Sequence, residues 1–195
     1  MVAGSILPIT IYKNKLYFLF GKENPMEDSA KGWSDFGGRV DRGETPMSAA
    51  LREGGEELTG FLGDDKILKE RIGRSGGTYN LTHNDYHVHM FYMEYDENLP
   101  KYYNQNHDFL WKRMDKRVLN ETKLFEKIKI DWFSVEQMRE RKGEFRMFYR
   151  EIVDKYLEQL VEIRKFAEKK RATMLSKRKR QGQSNTTRKM GDHPK

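Results

Sequence analysis

The chain has 195 residues, 36% of them hydrophobic and 12% aromatic, enough to bury one core and an appendage but not several domains. It has no cysteine, which excludes disulfides and thiolate chemistry, and no apolar run long enough to span a membrane. The net charge of +7 is uneven: Arg164 to Lys195 holds twelve Lys and Arg against Glu168 and Asp192, a net of +10, leaving residues 1–163 at −3.

The N-terminal apolar patch, Met1 to Ile11, lacks a basic leader and does not read as a signal peptide; a soluble cytoplasmic protein is expected. Ser5 to Tyr12 and Leu16 to Phe20 are β-rich runs around Lys13-Asn14-Lys15, a hairpin pattern. Asn24 to Gly32 reads as a loop, and Trp33 to Phe36 as a short strand that delivers the chain to Gly37-Gly38.

A helix is expected from Pro46 to about Leu58. Thr45 suits the N-cap and Pro46 the first helical position, where a missing N–H costs nothing. Glu53, Glu56 and Glu57 fall at i, i+3 and i+4 and project from one face within a turn. Three carboxylates that close repel one another unless a cation compensates, and an all-oxygen set suits Mg²⁺ or Mn²⁺. Gly54 and Gly55 soften this helix, each by about 1 kcal/mol relative to Ala.

Beyond it, Gly63-Asp64-Asp65 reads as a turn, Lys66 to Ile72 as a strand and Arg74 to Gly77 as a loop. Thr78 to Thr82 and Tyr86 to Tyr95 form a second hairpin around His83-Asn84-Asp85. His87 and His89, at i and i+2, read as one side of a mixed strand rather than as metal ligands. In the stretch 98–127, His107 to Leu119 has helical spacing at Leu110, Met114 and Val118. Its basic and aromatic residues (Lys101, Tyr102, Tyr103, Trp111, Lys112, Arg113, Lys116 and Arg117) suit either a polyphosphate or a solvated insertion with Trp111 buried. In the run Glu126 to Met138, Ser134 with Gln137 reads as a capping box. Phe145 to about Ala172 is expected as one closing helix, with Phe148, Ile152, Tyr156, Leu160 and Ile163 on its apolar stripe. From Ser176 the tail is polar and expected to be disordered.

The stretch from Gly38 to Gly60 resembles the Nudix box: a Gly, five residues, a Glu, seven residues, then Arg-Glu-apolar-any-Glu-Glu-any-Gly-apolar. Gly38, Glu44, Arg52, Glu53, Glu56 and Glu57 fall on it without a gap, while Gly54 replaces the apolar residue and Thr59 the late glycine. The Trp132-Phe133-Ser134 strand end and Glu-rich helix start are similar to the close of such domains. The resemblance covers residues 3–165 and implies an α/β fold, an α/β/α sandwich around a mixed β-sheet, here with a long C-terminal helix and a basic tail. The domain is drawn as 1–165, with an insertion at 98–127, and the tail as 166–195.

The activity implied is hydrolysis of a pyrophosphate linked to another group, with Mg²⁺ or Mn²⁺ as cofactor. Glu53 and Glu57 are implied as principal ligands, Glu56 as a third or supporting one, and the Gly38 carbonyl as a further oxygen. Arg52 is expected to orient Glu44 or Glu56. A carboxylate before the late Trp, Asp131 or Glu126, is a candidate base, with a structural salt bridge as the other role. The substrate stays open among phosphorylated small molecules and capped RNA 5′ ends. The basic tail favours an RNA substrate, as in mRNA decapping or RNA 5′ pyrophosphohydrolysis, and Lys177 to Arg180 would suit nuclear import in a eukaryotic host. A third reading is a non-catalytic nucleotide- or RNA-binding module.

Overall fold

A computed structural model of the chain describes residues 1–24, 31–122 and 126–189. The order is β1 (Ala3–Tyr12), β2 (Lys15–Glu23), β3 (Trp33–Ser34), β4 (Phe36–Arg39), α1 (Pro46–Glu57), α2 (Asp65–Ser75), β5 (Thr78–His83), β6 (Tyr86–Tyr92), α3 (Asn98–Arg113), α4 (Lys116–Thr122), β7 (Lys127–Ser134), α5 (Val135–Glu140), α6 (Tyr149–Glu158) and α7 (Leu160–Lys189). Among the described residues no helix is long and apolar enough to cross a membrane.

The strands form one mixed sheet. β1 pairs antiparallel with β2 and β4 and parallel with β6; β5 pairs with β6, and β3 and β7 with β2. The first hairpin turns on Lys13 and Asn14, both with positive φ, a twist that matches the flanking strands. Where β1 and β2 diverge, the chain passes from β3 on β2 to β4 on β1 through Asp35, which is buried. Ser5 Oγ and Tyr86 Oη each donate to its carboxylate at 2.5 Å, which answers the polar group the crossover buries. This crossover brings Gly37 and Gly38 alongside α1.

The sheet separates two cores. One, including Ile6, Leu19, Phe36, Ala50, Leu68 and Ile130, lies under α1, α2 and α3. The other, including Phe18, Phe20, Val88, Phe133, Tyr149 and Tyr156, lies under α6 and α7. The α/β/α sandwich expected from the sequence is the architecture found.

Four local expectations are corrected. Residues 66–72 are not a strand but part of α2: Asp64 accepts the Ile67 N–H at 2.9 Å as N-cap, Gly76 closes the helix at φ +95°, and Leu68 and Ile72, four apart, are its buried pair. The helix expected over 107–119 is two helices, α3 beginning at Asn98 and α4 restarted at Asp115, whose carboxylate accepts the Arg117 N–H. The closing helix does not start at Phe145, because Phe145 bridges to Trp33 and the Arg146 N–H is taken by the Trp33 carbonyl at 3.1 Å; it is also broken at Gln159. The tail expected to be disordered from Ser176 continues α7 as far as Lys189, since neither Gly nor Pro interrupts Leu160 to Gln181. Of the loop expected at 24–32, residues 25–30 lie outside the described residues, as do 190–195 of the tail.

Candidate active site

α1 starts as expected and better secured. Thr45 Oγ1 accepts the Ser48 N–H at 3.1 Å while the Thr45 N–H donates to Ser48 Oγ at 2.7 Å, a reciprocal cap. The helix is pressed against β1: a Cβ on Gly54 would collide with Cδ1 and Cγ1 of Ile6, so this glycine is what permits the approach. The exit uses Leu58 as C-cap and then two left-handed residues, Thr59 at φ +51° and Gly60 at φ +71°. Thr59 thus takes the conformation a glycine would hold more cheaply.

Arg52 organises the outer carboxylates. Its Nε donates to Glu44 Oε1 at 2.9 Å and its Nη2 to Glu44 Oε2 at 3.1 Å, a two-pronged grip. Nη1 donates to Glu53 Oε1 at 2.7 Å and reaches Glu56 Oε2 at 3.4 Å, while Nη2 also donates to the Arg39 carbonyl at 3.1 Å. The Arg52 hydrogen bonds, helped by the Asp41 N–H, hold the Glu44 carboxyl down at about 2. Arg52 thus contacts three box carboxylates, Glu44 and Glu53 most closely. A Cβ on Gly38 would run into the Glu53 carboxylate, so the glycine main chain lies directly against it.

Glu57 departs from expectation. Its residue is 4% exposed, against 15% for the Glu53 side chain and 57% for that of Glu56. Glu57 Oε2 accepts the Gly37 N–H at 2.8 Å, and Oε1 lies 3.1 Å from Nζ of Lys127, which is fully buried. Lys127 Nζ also donates to Glu23 Oε1 and, at 2.9 Å, to Ser34 Oγ; Glu23 Oε1 accepts from Arg146 Nη1 at 2.8 Å. Burial raises the Glu57 carboxyl, with Lys127 opposing, while the carboxylates of Glu57 and Glu23 outweigh burial and raise Lys127. The Gly37 amide and the Lys127 ammonium both favour the charged form of Glu57, against the burial that disfavours it. Tyr103 Oη, within 2.9 Å and 2.8 Å of the Glu57 and Lys127 carbonyls, ties α3 to this cluster.

The sequence reading did not single out Lys127 as a site residue. The pairing of β2 with β7 shifts between Lys22–Lys129 and Glu23–Lys127, a bulge that passes over Ile128 and turns Lys127 inward. Asp131, by contrast, alternates with Ile130 and Trp132 of the α1-side core and so lies on the other face of the sheet from the box, where burial raises its carboxyl. It is not placed to serve as base. Glu126 stands beside Lys127, near enough for its charge to help raise Glu57 and Tyr103. His87 and His89 pair locally, with Thr82 at 3.1 Å and Asn80 at 2.9 Å.

Among the described residues no three acidic, His or Cys side chains converge as around a metal ion. The donor chemistry nevertheless suits one: Glu53 and Glu56 offer hard oxygens one turn apart, with the Gly38 main chain against Glu53, a set that fits Mg²⁺ or Mn²⁺ with waters completing the shell. Each Glu57 oxygen already faces a donor inside the buried cluster, the Gly37 amide and the Lys127 ammonium.

Next to Gly37 and Gly38 opens a cavity of about 500 Å³, walled by Arg39, His83, Tyr86, Arg146 and Phe148. Arg39 joins the two regions, its carbonyl held by Arg52 and its residue lining the cavity. The Phe148 ring is 46% exposed and lies under the Arg146 guanidinium at 4.9 Å. The sequence placed Phe148 on the helix stripe, and only the fold brings it here; an Arg-any-Phe step ahead of the helix was the available signal. A second, open cavity of about 600 Å³ lies between α2, β6 and α7, with Arg71, Arg74, Arg178, Phe91 and Tyr95 among its walls. In the stretch 98–127, Trp111 is only partly buried, stacked at 5.5 Å on His107, and Lys112, Arg113, Lys116 and Arg117 are exposed.

The family model of the NUDIX domain matches residues 5–156. The chain belongs to the NUDIX domain family, and its class is that of the Nudix pyrophosphohydrolases. Comparison with curated proteins finds no match. Among solved structures it is similar to a C. elegans Ap4A hydrolase in a binary complex (14% identity, 82% of this chain and 98% of that one, TM-score 0.47). It is also similar to a mutT/nudix family protein from Listeria innocua (15%, 83% and 94%, TM-score 0.45) and to a NUDIX hydrolase from Nitrosomonas europaea (15%, 80% and 87%, TM-score 0.37).

Proposed function

We propose that the chain hydrolyses a nucleoside diphosphate linked to another group, using Mg²⁺ or Mn²⁺ held by Glu53 and Glu56 at the Gly38 main chain. The observation that carries this is the Arg52 grip on Glu44 and Glu53, with Glu53 against the Gly38 main chain that also lines a cavity with basic and aromatic walls. A bound divalent cation would neutralise phosphate oxygens and acidify a water. The chain's own part is positioning. Arg52 spends its donors on Glu44, Glu53 and the Arg39 carbonyl, so it holds the carboxylates rather than the substrate. Arg39 and Arg146 put positive charge on the wall that a pyrophosphate would meet, and the exposed Phe148 ring offers a face on which a base can stack. Glu57 holds the Gly37 amide and so fixes the strand that carries Gly38.

A second reading, an RNA 5′ end as substrate, is favoured by the Arg71, Arg74 and Arg178 wall of the other cavity and by the net +10 of the tail. One panel tests both: dinucleoside polyphosphates, nucleoside diphosphate sugars and capped RNA, each with Mg²⁺ or Mn²⁺ and with chelator, products read by mass. Cleavage of small substrates at comparable or better efficiency than capped RNA supports the first reading, and cleavage of capped RNA alone supports the second. A protein that binds members of the panel and cleaves none would be the non-catalytic module.

A further inference from the structure

We propose that Lys127 is a built-in cation for the last glutamate of the box, so that this chain binds its metal through Glu53 and Glu56 without Glu57. The inference rests on the reading of the box as a metal site and changes which carboxylates serve it.

The Lys127 ammonium has three N–H donors and three partners: Glu23, Ser34 at 2.9 Å and Glu57 at 3.1 Å. Nothing of the side chain reaches solvent. Glu57 is shut in with it, and its second oxygen is spent on the Gly37 amide at 2.8 Å. Within this group Glu23 and Glu57 are answered by Lys127 and Arg146, with Glu126 beside them. A divalent ion at ligating distance from Glu57 would add two positive charges beside an ammonium in a poorly screening interior, where Glu126 is the further acid whose charge reaches Glu57. The bulge that turns Lys127 inward puts it directly opposite Glu23, so the arrangement is fixed by strand register and not by a side chain that can swing away. Glu57 thereby becomes a positioning residue. It fixes Gly37, and through it the glycine against which Glu53 lies.

The test is calorimetric titration of the full chain with Mn²⁺ alone, after circular dichroism has confirmed the fold of each variant. Glu53→Gln is expected to weaken Mn²⁺ binding on the order of ten-fold or more, as loss of a ligand does. Glu57→Gln, which keeps an oxygen for the Gly37 amide, should weaken it less than Glu53→Gln does. Lys127→Met, which frees Glu57, should bind Mn²⁺ more tightly or show a second binding event. Equal losses in Glu53→Gln and Glu57→Gln would overturn the proposal, as would a folded Lys127→Met with unchanged binding. If Lys127→Met does not fold, the two glutamate variants decide alone. Unchanged binding in both would overturn the proposal and, separately, the reading of the box as the metal site.

Discussion

Two neighbouring glycines in α1 should answer the same substitution with opposite signs. Sequence alone treats Gly54 and Gly55 alike, each softening the helix by about 1 kcal/mol relative to Ala. In the fold a Cβ on Gly55 meets only ordinary contacts, the nearest being Asp64 Cα and the Gly63 carbonyl at 3.5 Å, so Gly55→Ala should stabilise by up to ~1 kcal/mol. A Cβ on Gly54 collides with Ile6, which is fully buried and cannot swing out. Overpacking of that kind costs about 1–3 kcal/mol, and the helix gain offsets about 1 of it, leaving Gly54→Ala roughly 0–2 kcal/mol less stable. Urea denaturation would resolve the two, and for a chain this long each kcal/mol is about 2–4 °C in Tm. Ile6→Val removes the Cδ1 that the added methyl would strike, so the double variant should recover at least ~0.5 kcal/mol beyond additivity. If Gly54→Ala stabilises as much as Gly55→Ala, α1 does not lie as close on β1 as described.

Arg52→Lys keeps the charge but cannot hold both Glu44 oxygens, Glu53 and the Arg39 carbonyl at once; kcat for the best substrate should fall about 10–100-fold, and an unchanged kcat would leave Arg52 without the role given to it. His89 is held below its usual 6.5 by burial, with His87 adding to it, so its folded form resists a proton that the unfolded chain accepts. That contribution to stability is present above pH 6.5 and is lost as pH falls below it; the urea midpoint should drop on going to pH 5.5, and His89→Gln should flatten the drop, parallel curves contradicting this. Deleting residues 176–195 spares Ile163 and Ala167 of the core and every box residue, so kinetics on a dinucleotide should be nearly unchanged. For an RNA substrate the same deletion should raise KM and flatten its salt dependence, and no change in either would remove the support for an RNA 5′ end.

What could be read from the sequence was what spacing and local caps decide. The hairpin of β5 and β6 follows from alternation, and the start of α1 from Thr45 and Pro46. The grip of Arg52 on Glu44 needs only eight residues of chain, most of them helical. α2 was misread because Asp64 was taken as turn when it is the cap that starts a helix. Lys127 and Glu23 are 104 positions apart, and the bulge that makes them meet leaves no mark in the alternation of Lys127 to Asp131. Asp131 failed as a base for the converse reason: its place before Trp132 is right, but strand alternation sends it to the other face. Arg146 and Phe148 came to the cavity only because Phe145 is pinned to Trp33, which delays the start of α6.

The central claim is cleavage of a pyrophosphate by water at the carboxylates of α1. Its most direct test is turnover of the best small substrate in ¹⁸O-labelled water with saturating Mg²⁺ or Mn²⁺, wild type beside Glu53→Gln. The account predicts two phosphorylated products, one ¹⁸O in only one of them, no reaction in chelator, and a rate for Glu53→Gln lower by ~10²-fold or more. Label in neither product, or a Glu53→Gln enzyme that turns over like the wild type, would contradict it.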